Sequence, residues 1–263
     1  MIPFFQANSI ELGPLTIQVW GLLVALGMLA GLIFGARLVK KQFLSVEVFL
    51  DLALYSVLGA FIGARLVHVS LYQPGYYGAH PLEILKVWQG GLSSLGGFSG
   101  GLLGAALFAR YRKFSLNEFA RYADVGIISI WLGWGIGRLG CFLIHDHPGT
   151  LSNFVLATRY PEGPRHDLGL YESITGFILF FVFWALFKKL SKKQSGLVAL
   201  VSAGVYAVIR FGLDFLRASD LPASDARYLY LTPAQWGMIA VIAGLTGACI
   251  YTKMRQSKRG EVA

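Results

Sequence analysis

Apolar residues run through this chain in seven blocks, over residues 19–39, 48–71, 92–109, 122–144, 170–187, 197–216 and 233–251. Each is near the roughly 20 residues a helix needs to cross the hydrocarbon of a bilayer. The pattern predicts an all-α polytopic membrane protein with seven transmembrane helices. The connections alternate in character. The short ones hold Arg37, Lys40 and Lys41, then Arg110, Arg112, Lys113 and Arg121, then Lys188, Lys189, Lys192 and Lys193, and the tail carries Lys253, Arg255, Lys258 and Arg259. Threading seven helices puts these fifteen of the 23 Lys and Arg residues on one side. The positive-inside rule makes that side cytoplasmic, with the N-terminus outside and the C-terminus inside.

Composition sharpens the class. With 55% hydrophobic and only 14% charged residues, the chain is far from the roughly 25% charged of soluble domains. The net charge of +9 raises nucleic acid as a partner, but the placement of the basic clusters assigns them to topology, and no nucleic-acid partner is expected. The opening Met1-Ile2-Pro3-Phe4-Phe5 lacks the basic region of a cleaved signal, so the first apolar block is read as a retained span. Cys141 and Cys249 both fall in apolar spans far apart in sequence, which argues against a stabilising disulfide. No metal and no cofactor are expected. The segments on the other side, about 72–91, 145–169 and 217–232, are longer, rich in Pro, Gly, Tyr and His, and mixed in charge, as functional loops are. With no internal repeat and no loop able to build its own core, residues 1–263 are read as a single membrane domain.

Three arginines sit inside the apolar blocks: Arg65, Arg138 and Arg210. An ionisable group in hydrocarbon costs at least about 2.5–3.5 kcal/mol, so it marks a functional site with an anionic partner. Each belongs to a polar ladder. Tyr206, Arg210, Asp214 and Arg217 fall at i, i+4, i+8 and i+11 on one helical stripe. Arg65, His68 and Tyr72 make a second, and Arg138 runs on through Gly140-Cys141 to His145-Asp146-His147-Pro148-Gly149. If the ladders converge, they line one anion-binding cavity facing the outer leaflet. The structural alternative pairs Arg65 with Asp51 or Asp124 and Arg210 with Asp214.

Glycines form the other signal. Gly59 and Gly63, Gly133 and Gly137, and the run Gly90-Gly91, Gly96-Gly97, Gly100-Gly101 and Gly104 have small-xxx-small spacing, which lets membrane helices approach closely. Gly96-Gly97 also offers backbone close to a lipid head group.

These residues resemble the prolipoprotein diacylglyceryl transferase family over nearly the whole chain. The resemblance is carried by Gly63-Ala64-Arg65, by Trp88-Gln89-Gly90-Gly91-Leu92-Ser93, by Asp124 ahead of Arg138, by Gly137-Arg138-Leu139-Gly140-x-Phe142, by Arg165-His166 with Leu170-Tyr171-Glu172, and by Tyr206-xxx-Arg210-xxx-Asp214-Phe215-x-Arg217. It implies transfer of the diacylglyceryl group of phosphatidylglycerol to the lipobox cysteine of a lipoprotein precursor's signal peptide, with glycerol 1-phosphate leaving, in a bacterial inner membrane. It assigns catalysis to Arg138, Arg210 and Tyr206 and matches Gly149 to the family's loop glycine. The residues themselves offer His145 and His147, in places where the chain departs from the family, as candidate bases for the incoming thiol, and substrate binding is expected at Arg65, His68, Gly96, Gly97, Asp124, Gly149, His166, Asp214 and Arg217. The arginines would stabilise the charge of the leaving phosphate.

The chain departs from the family at several of these places. Leu95-Gly96-Gly97 stands where the family has His-Gly-Gly, Cys141 where it has asparagine, Trp20 where it has tyrosine, Ile144-His145-Asp146 where it has Asn-Gly-Glu, and His68 where it has tyrosine. A histidine oriented by Asp146 is the candidate relocated base. A metal held by His145, Asp146 and His147 is disfavoured because three adjacent loop residues rarely close round one ion. Two other classes are consistent with parts of the pattern. A phospholipid or polyprenyl-phosphate carrier, or a transferase altered to another acceptor, would use the same arginines. An intramembrane serine protease of rhomboid type would use Gly97-Phe98-Ser99-Gly100, although no histidine lies in the last three spans.

Overall fold

The computed structural model describes the chain except residues 88–89, 222–223, 225–226 and 261–263, and the side chains of 94 and 248–260. Trp88-Gln89 of the family motif and the Cys249 side chain therefore lie outside the described residues. In chain order the elements are β1 (Ile2–Pro3), β2 (Ser9–Leu12), β3 (Leu15–Gln18), α1 (Val19–Lys41), α2 (Val46–Val67), α3 (Pro74–Ala79), α4 (Ser94–Tyr111), α5 (Leu116–Ile144), β4 (Pro148–Leu151), β5 (Thr158–Tyr160), β6 (Gly163–Asp167), α6 (Leu168–Ser191), α7 (Leu197–Leu213) and α8 (Pro233–Gly260).

Among the described residues, five helical segments are long and apolar enough to cross a membrane: Val19–Lys41, Val46–Tyr72, Leu116–Ile144, Leu168–Ser191 and Leu197–Leu216. Their outward residues are apolar. Phe61 and Ile62 on α2 and Phe181 and Trp184 on α6 are all exposed, a surface that suits lipid and not water. Polar caps mark where the helices begin. Ser45 accepts from the Val48 amide (3.3 Å) at α2, and Asp167 from the Leu170 amide (3.2 Å) at α6. Lys40 and Lys41 end α1, and Lys188 and Lys189 lie in the last turn of α6.

The chain divides into two compact units, residues 34–126 and residues 1–33 with 127–263. In the first, α2 and α4 lie against each other along facing glycines. A Cβ on Gly63 would come within 2.8 Å of the Gly100 Cα, and one on Gly96 within 2.7 Å of the Gly63 carbonyl carbon. Backbones that close exclude any side chain at the seam.

The second unit holds α6, α7, α8 and two small sheets. One sheet has the order β1-β5-β6-β4, with β1 parallel to β5 and the other pairs antiparallel, and the other is the β2-β3 hairpin. The all-α expectation is corrected here: the 145–169 connection folds into three strands. These strands are only three to five residues long, too short to print a period-two pattern on the sequence.

Candidate active site

Helix α5 carries Arg138 near its C-terminal end, α6 carries Glu172 in its second turn, and α7 carries Tyr206 and Arg210. Glu172 is fully buried. Its Oε2 lies 2.8 Å from Arg138 Nε, and its Oε1 3.6 Å from Arg210 NH1. Arg210 also pairs with Asp214, one helical turn on, and Arg217 Nε stands 3.3 Å from the same Asp214 carboxylate. Thr232 donates to the other Asp214 oxygen. Three guanidinium groups are thus threaded on two buried carboxylates. Arg138 and Arg210, the catalytic arginines of the sequence reading, come together on one carboxylate.

Aromatic rings wall this centre. The Arg138 guanidinium lies 4.7 Å from the centroid of the Trp134 ring. Tyr206, almost wholly buried, sits 4.8 Å from Trp131 and 5.9 Å from Trp134, centroid to centroid. The rings lower the local dielectric and so strengthen every charge interaction beside them.

On its other side Arg138 meets the turn after α5. Arg138 NH1 is 3.3 Å from His147 Nε2 and 3.6 Å from Cys141 Sγ. A guanidinium only donates, so Nε2 accepts, and the imidazole proton sits on Nδ1, which donates to the Asp146 carboxylate. That leaves Nε2 with its lone pair toward the anion centre. Burial pulls the pKa of His147 down, yet hydrogen bonds with Asp146 and Cys141 outweigh it and hold the imidazole above its ordinary value.

His145 is placed differently. It is buried, its Nδ1 lies 2.6 Å from the fully buried Asp167, and its Nε2 lies 2.6 Å from the Phe5 carbonyl oxygen. Phe4 stacks on its ring at 4.7 Å. Both of its ring nitrogens are engaged within the protein, at the Asp167 carboxylate and the Phe5 carbonyl oxygen. Tyr160 completes the cluster by donating to Asp167 (2.8 Å), and burial with that carboxylate pushes the phenol well above its usual range.

Arg65 is held by backbone carbonyls. Its Nε donates to the Ile84 carbonyl (2.8 Å), NH1 to those of Gly90 (2.7 Å) and Gly91 (3.1 Å), and NH2 to those of Glu83 (2.6 Å) and Lys86 (3.4 Å). Neither Asp51 nor Asp124 appears among these acceptors. Arg65 ties residues 83–86 and 90–91 to the end of α2, under Tyr77 at 5.0 Å. His68 faces the same segment, against Tyr72 and Tyr77, and Asp124 is buried in α5 within this unit.

The glycines serve packing. Gly96 belongs to the α2–α4 seam, whereas a Cβ on Gly97 would meet only Ala64 Cβ, at 3.9 Å. Gly149 is held between strand and helix: a Cβ there would fall 2.6 Å from the Leu216 carbonyl oxygen and 2.7 Å from His166 Cβ. Gly149 bridges Arg217 backbone to backbone, linking the histidine turn to the end of α7. His166 Nδ1 is 2.8 Å from the Tyr171 hydroxyl, and burial lowers its pKa.

The Ser99 hydroxyl donates back into its own helix, to the Leu95 carbonyl (2.8 Å) and the Gly96 carbonyl (3.3 Å).

Glu172 enters the sequence reading only as part of the Leu170-Tyr171-Glu172 motif, with no role in the site given to it there. It is the sole acidic residue in the 170–187 block, and a lone carboxylate in an apolar span is the same signal that singled out the arginines.

Fold and site define a multi-pass membrane protein whose polar centre is an arginine–carboxylate cluster with a histidine at its margin. The family model for prolipoprotein diacylglyceryl transferase matches residues 7–252. A phosphatidylglycerol–prolipoprotein diacylglyceryl transferase of Nitrosomonas europaea is 33% identical over 268 residues, covering 99% of this chain and 94% of its own. One from Bordetella avium is 36% identical over 226 residues, 83% of this chain and 84% of its own, and one from Tolumonas auensis is 33% identical over 248 residues, 92% and 95%. The chain belongs to the prolipoprotein diacylglyceryl transferase family.

Proposed function

We propose that this protein transfers the diacylglyceryl group of phosphatidylglycerol to the lipobox cysteine thiol of prolipoprotein signal peptides. The observation that carries this reading is the meeting of Arg138 and Arg210 on Glu172, with His147 Nε2 beside Arg138. The two guanidinium groups are held in place before any lipid arrives. A phosphate drawn into their field gains compensation for its charge as the glyceryl carbon–oxygen bond breaks, the preorganised form of electrostatic catalysis. His147, oriented by Asp146, takes the thiol proton, so that a thiolate attacks the glyceryl carbon. Tyr206 shapes the wall of the centre, and Asp214 and Arg217 set the position of Arg210.

On this reading both units work as one membrane-embedded enzyme in the bacterial inner membrane. Helices α4 and α8 join the five longer apolar segments as the remaining two of seven spans, with the N-terminus outside. The His147 turn then faces the outer side, where the precursor's cysteine arrives. Arg65, His68 and the 83–91 segment serve as scaffold for a lipid-facing wall, not as the phosphate site.

The test is reconstitution. Purified protein, phosphatidylglycerol and a lipobox peptide are expected to yield a thioether-linked diacylglyceryl peptide by mass spectrometry. Bound lipid with an unmodified peptide would instead support a lipid carrier.

A further inference from the structure

Cys141 lies outside every role given so far, yet it stands among groups with a definite chemistry. Its thiol is buried at the end of α5 and is free of any disulfide. The ligating atoms of Cys141, His147 and Asp146 all fall within 4.8 Å of one another. Asp146 accepts the proton on His147 Nδ1, and Arg138 NH1 stands 3.3 Å from His147 Nε2 and 3.6 Å from Cys141 Sγ. Acid, imidazole and thiol are thus gathered beside one cationic N–H donor.

We infer that Cys141, His147 and Asp146 form a nucleophilic triad that takes an acyl group from a phospholipid ester. Each part has its counterpart in cysteine-dependent acyl transfer: a nucleophile, a base that reaches it, a carboxylate that fixes the tautomer of the base, and a donor for the oxyanion. Asp146 and His147 are part-exposed while Cys141 is not, so an ester reaches the sulfur from the His147 side. The choice of a phospholipid rests on the proposed function, because a diacylglyceryl donor held at Arg138 carries its acyl esters one and two carbons from the reacting carbon.

The step balances within the site. His147 Nε2 takes the thiol proton as Sγ bonds to the ester carbonyl carbon, and the carbonyl electron pair moves onto oxygen beside Arg138 NH1. Return of that pair breaks the bond to the glyceryl oxygen, which takes the proton from His147 and leaves as a lysophospholipid. Water, giving a proton to Nε2, then cleaves the thioester, releasing fatty acid and restoring the thiol.

The experiment incubates the full-length protein in detergent with phosphatidylglycerol and no peptide. Lysophosphatidylglycerol is followed over time, and acid-quenched protein is mapped by mass spectrometry. The expected result is lysolipid release together with an acyl group on Cys141 that neutral hydroxylamine removes. Cys141→Ser is expected to lower lysolipid release at least tenfold. Mapping on the unaltered protein decides the site even if that variant folds poorly. Lysolipid no greater than in a heat-inactivated control, or an acyl group mapped elsewhere, overturns the triad. The two readings fail separately. Peptide transfer without acyl-Cys141 or lysolipid sinks the triad alone, and acyl-Cys141 without peptide transfer upholds the triad and sinks the proposed function.

Discussion

Arg138 NH1 lies 3.3 Å from His147 Nε2, and because arginine has no acceptor the contact fixes which imidazole nitrogen carries the lone pair. Anion binding and proton transfer therefore meet in one hydrogen bond. The pH dependence of the reaction follows from it.

His147 must be neutral to act as a base, and its pKa is raised above the ordinary 6.5. Transfer is expected to rise with pH through an inflection above that value and to fall away on the acid side. Asp146→Asn removes the carboxylate charge while burial still favours the neutral ring, so the inflection moves to lower pH. The sign for stability is opposite. The raised folded pKa contributes stability that is fully present below the unfolded value of 6.5 and is lost as pH climbs through the folded value. Rate against pH for both proteins, with thermal unfolding measured alongside, checks the pair of slopes.

Glu172 has no exposure, and Arg138 is its nearer cation. Removing one partner of a buried pair costs about 3–5 kcal/mol because a charge is left without compensation. Arg138→Ala is expected to lower unfolding stability by that order and to abolish transfer. Adding Glu172→Gln is expected to restore part of the stability and none of the transfer. Thermal unfolding and peptide modification, measured on both variants, separate the two roles.

The α2–α4 seam predicts a contrast between adjacent glycines. Gly96→Ala puts a methyl group against the Gly63 carbonyl carbon at 2.7 Å, and overpacking of this kind costs about 1–3 kcal/mol. Gly97→Ala meets only Ala64 at 3.9 Å and is expected to change stability by no more than about 0.5 kcal/mol. Detergent-solubilised melting curves of the two variants test it.

Much of this arrangement was legible in the sequence. Arg138 and Arg210 stood out because charge in an apolar span has few explanations, and the glycine spacing announced close helix packing. Other parts were hidden for physical reasons. Arg65 carries the same sequence signal as Arg138, but its partners are backbone carbonyls of residues 83–91, and a backbone acceptor leaves no trace in residue identity. His145 and His147 flank Asp146 symmetrically in sequence, yet His145 has positive φ (53°) and is turned toward Asp167 and Phe5. Only the fold of the short strands decides which imidazole reaches Arg138.

His145 is accordingly a test of position against chemistry. His145→Ala leaves Asp167 buried with Tyr160 as its remaining donor side chain, and stability is expected to fall by about 1–3 kcal/mol. The transfer rate per folded molecule is expected to stay within a fewfold of the unaltered protein, whereas His147→Ala is expected to lower it by about 10²–10⁴. Equal losses in the two variants would show that the turn acts as a whole and that neither imidazole is the base.

The most direct test of the account is single-turnover release of glycerol phosphate from labelled phosphatidylglycerol in the presence of a lipobox peptide, comparing the unaltered protein with Arg210→Ala and Arg138→Ala. Both variants are expected to release it at least about 10²-fold more slowly, as loss of a preorganised charge donor does elsewhere. Release at the unaltered rate by folded Arg138→Ala and Arg210→Ala proteins would contradict the claim that these two arginines hold the leaving phosphate.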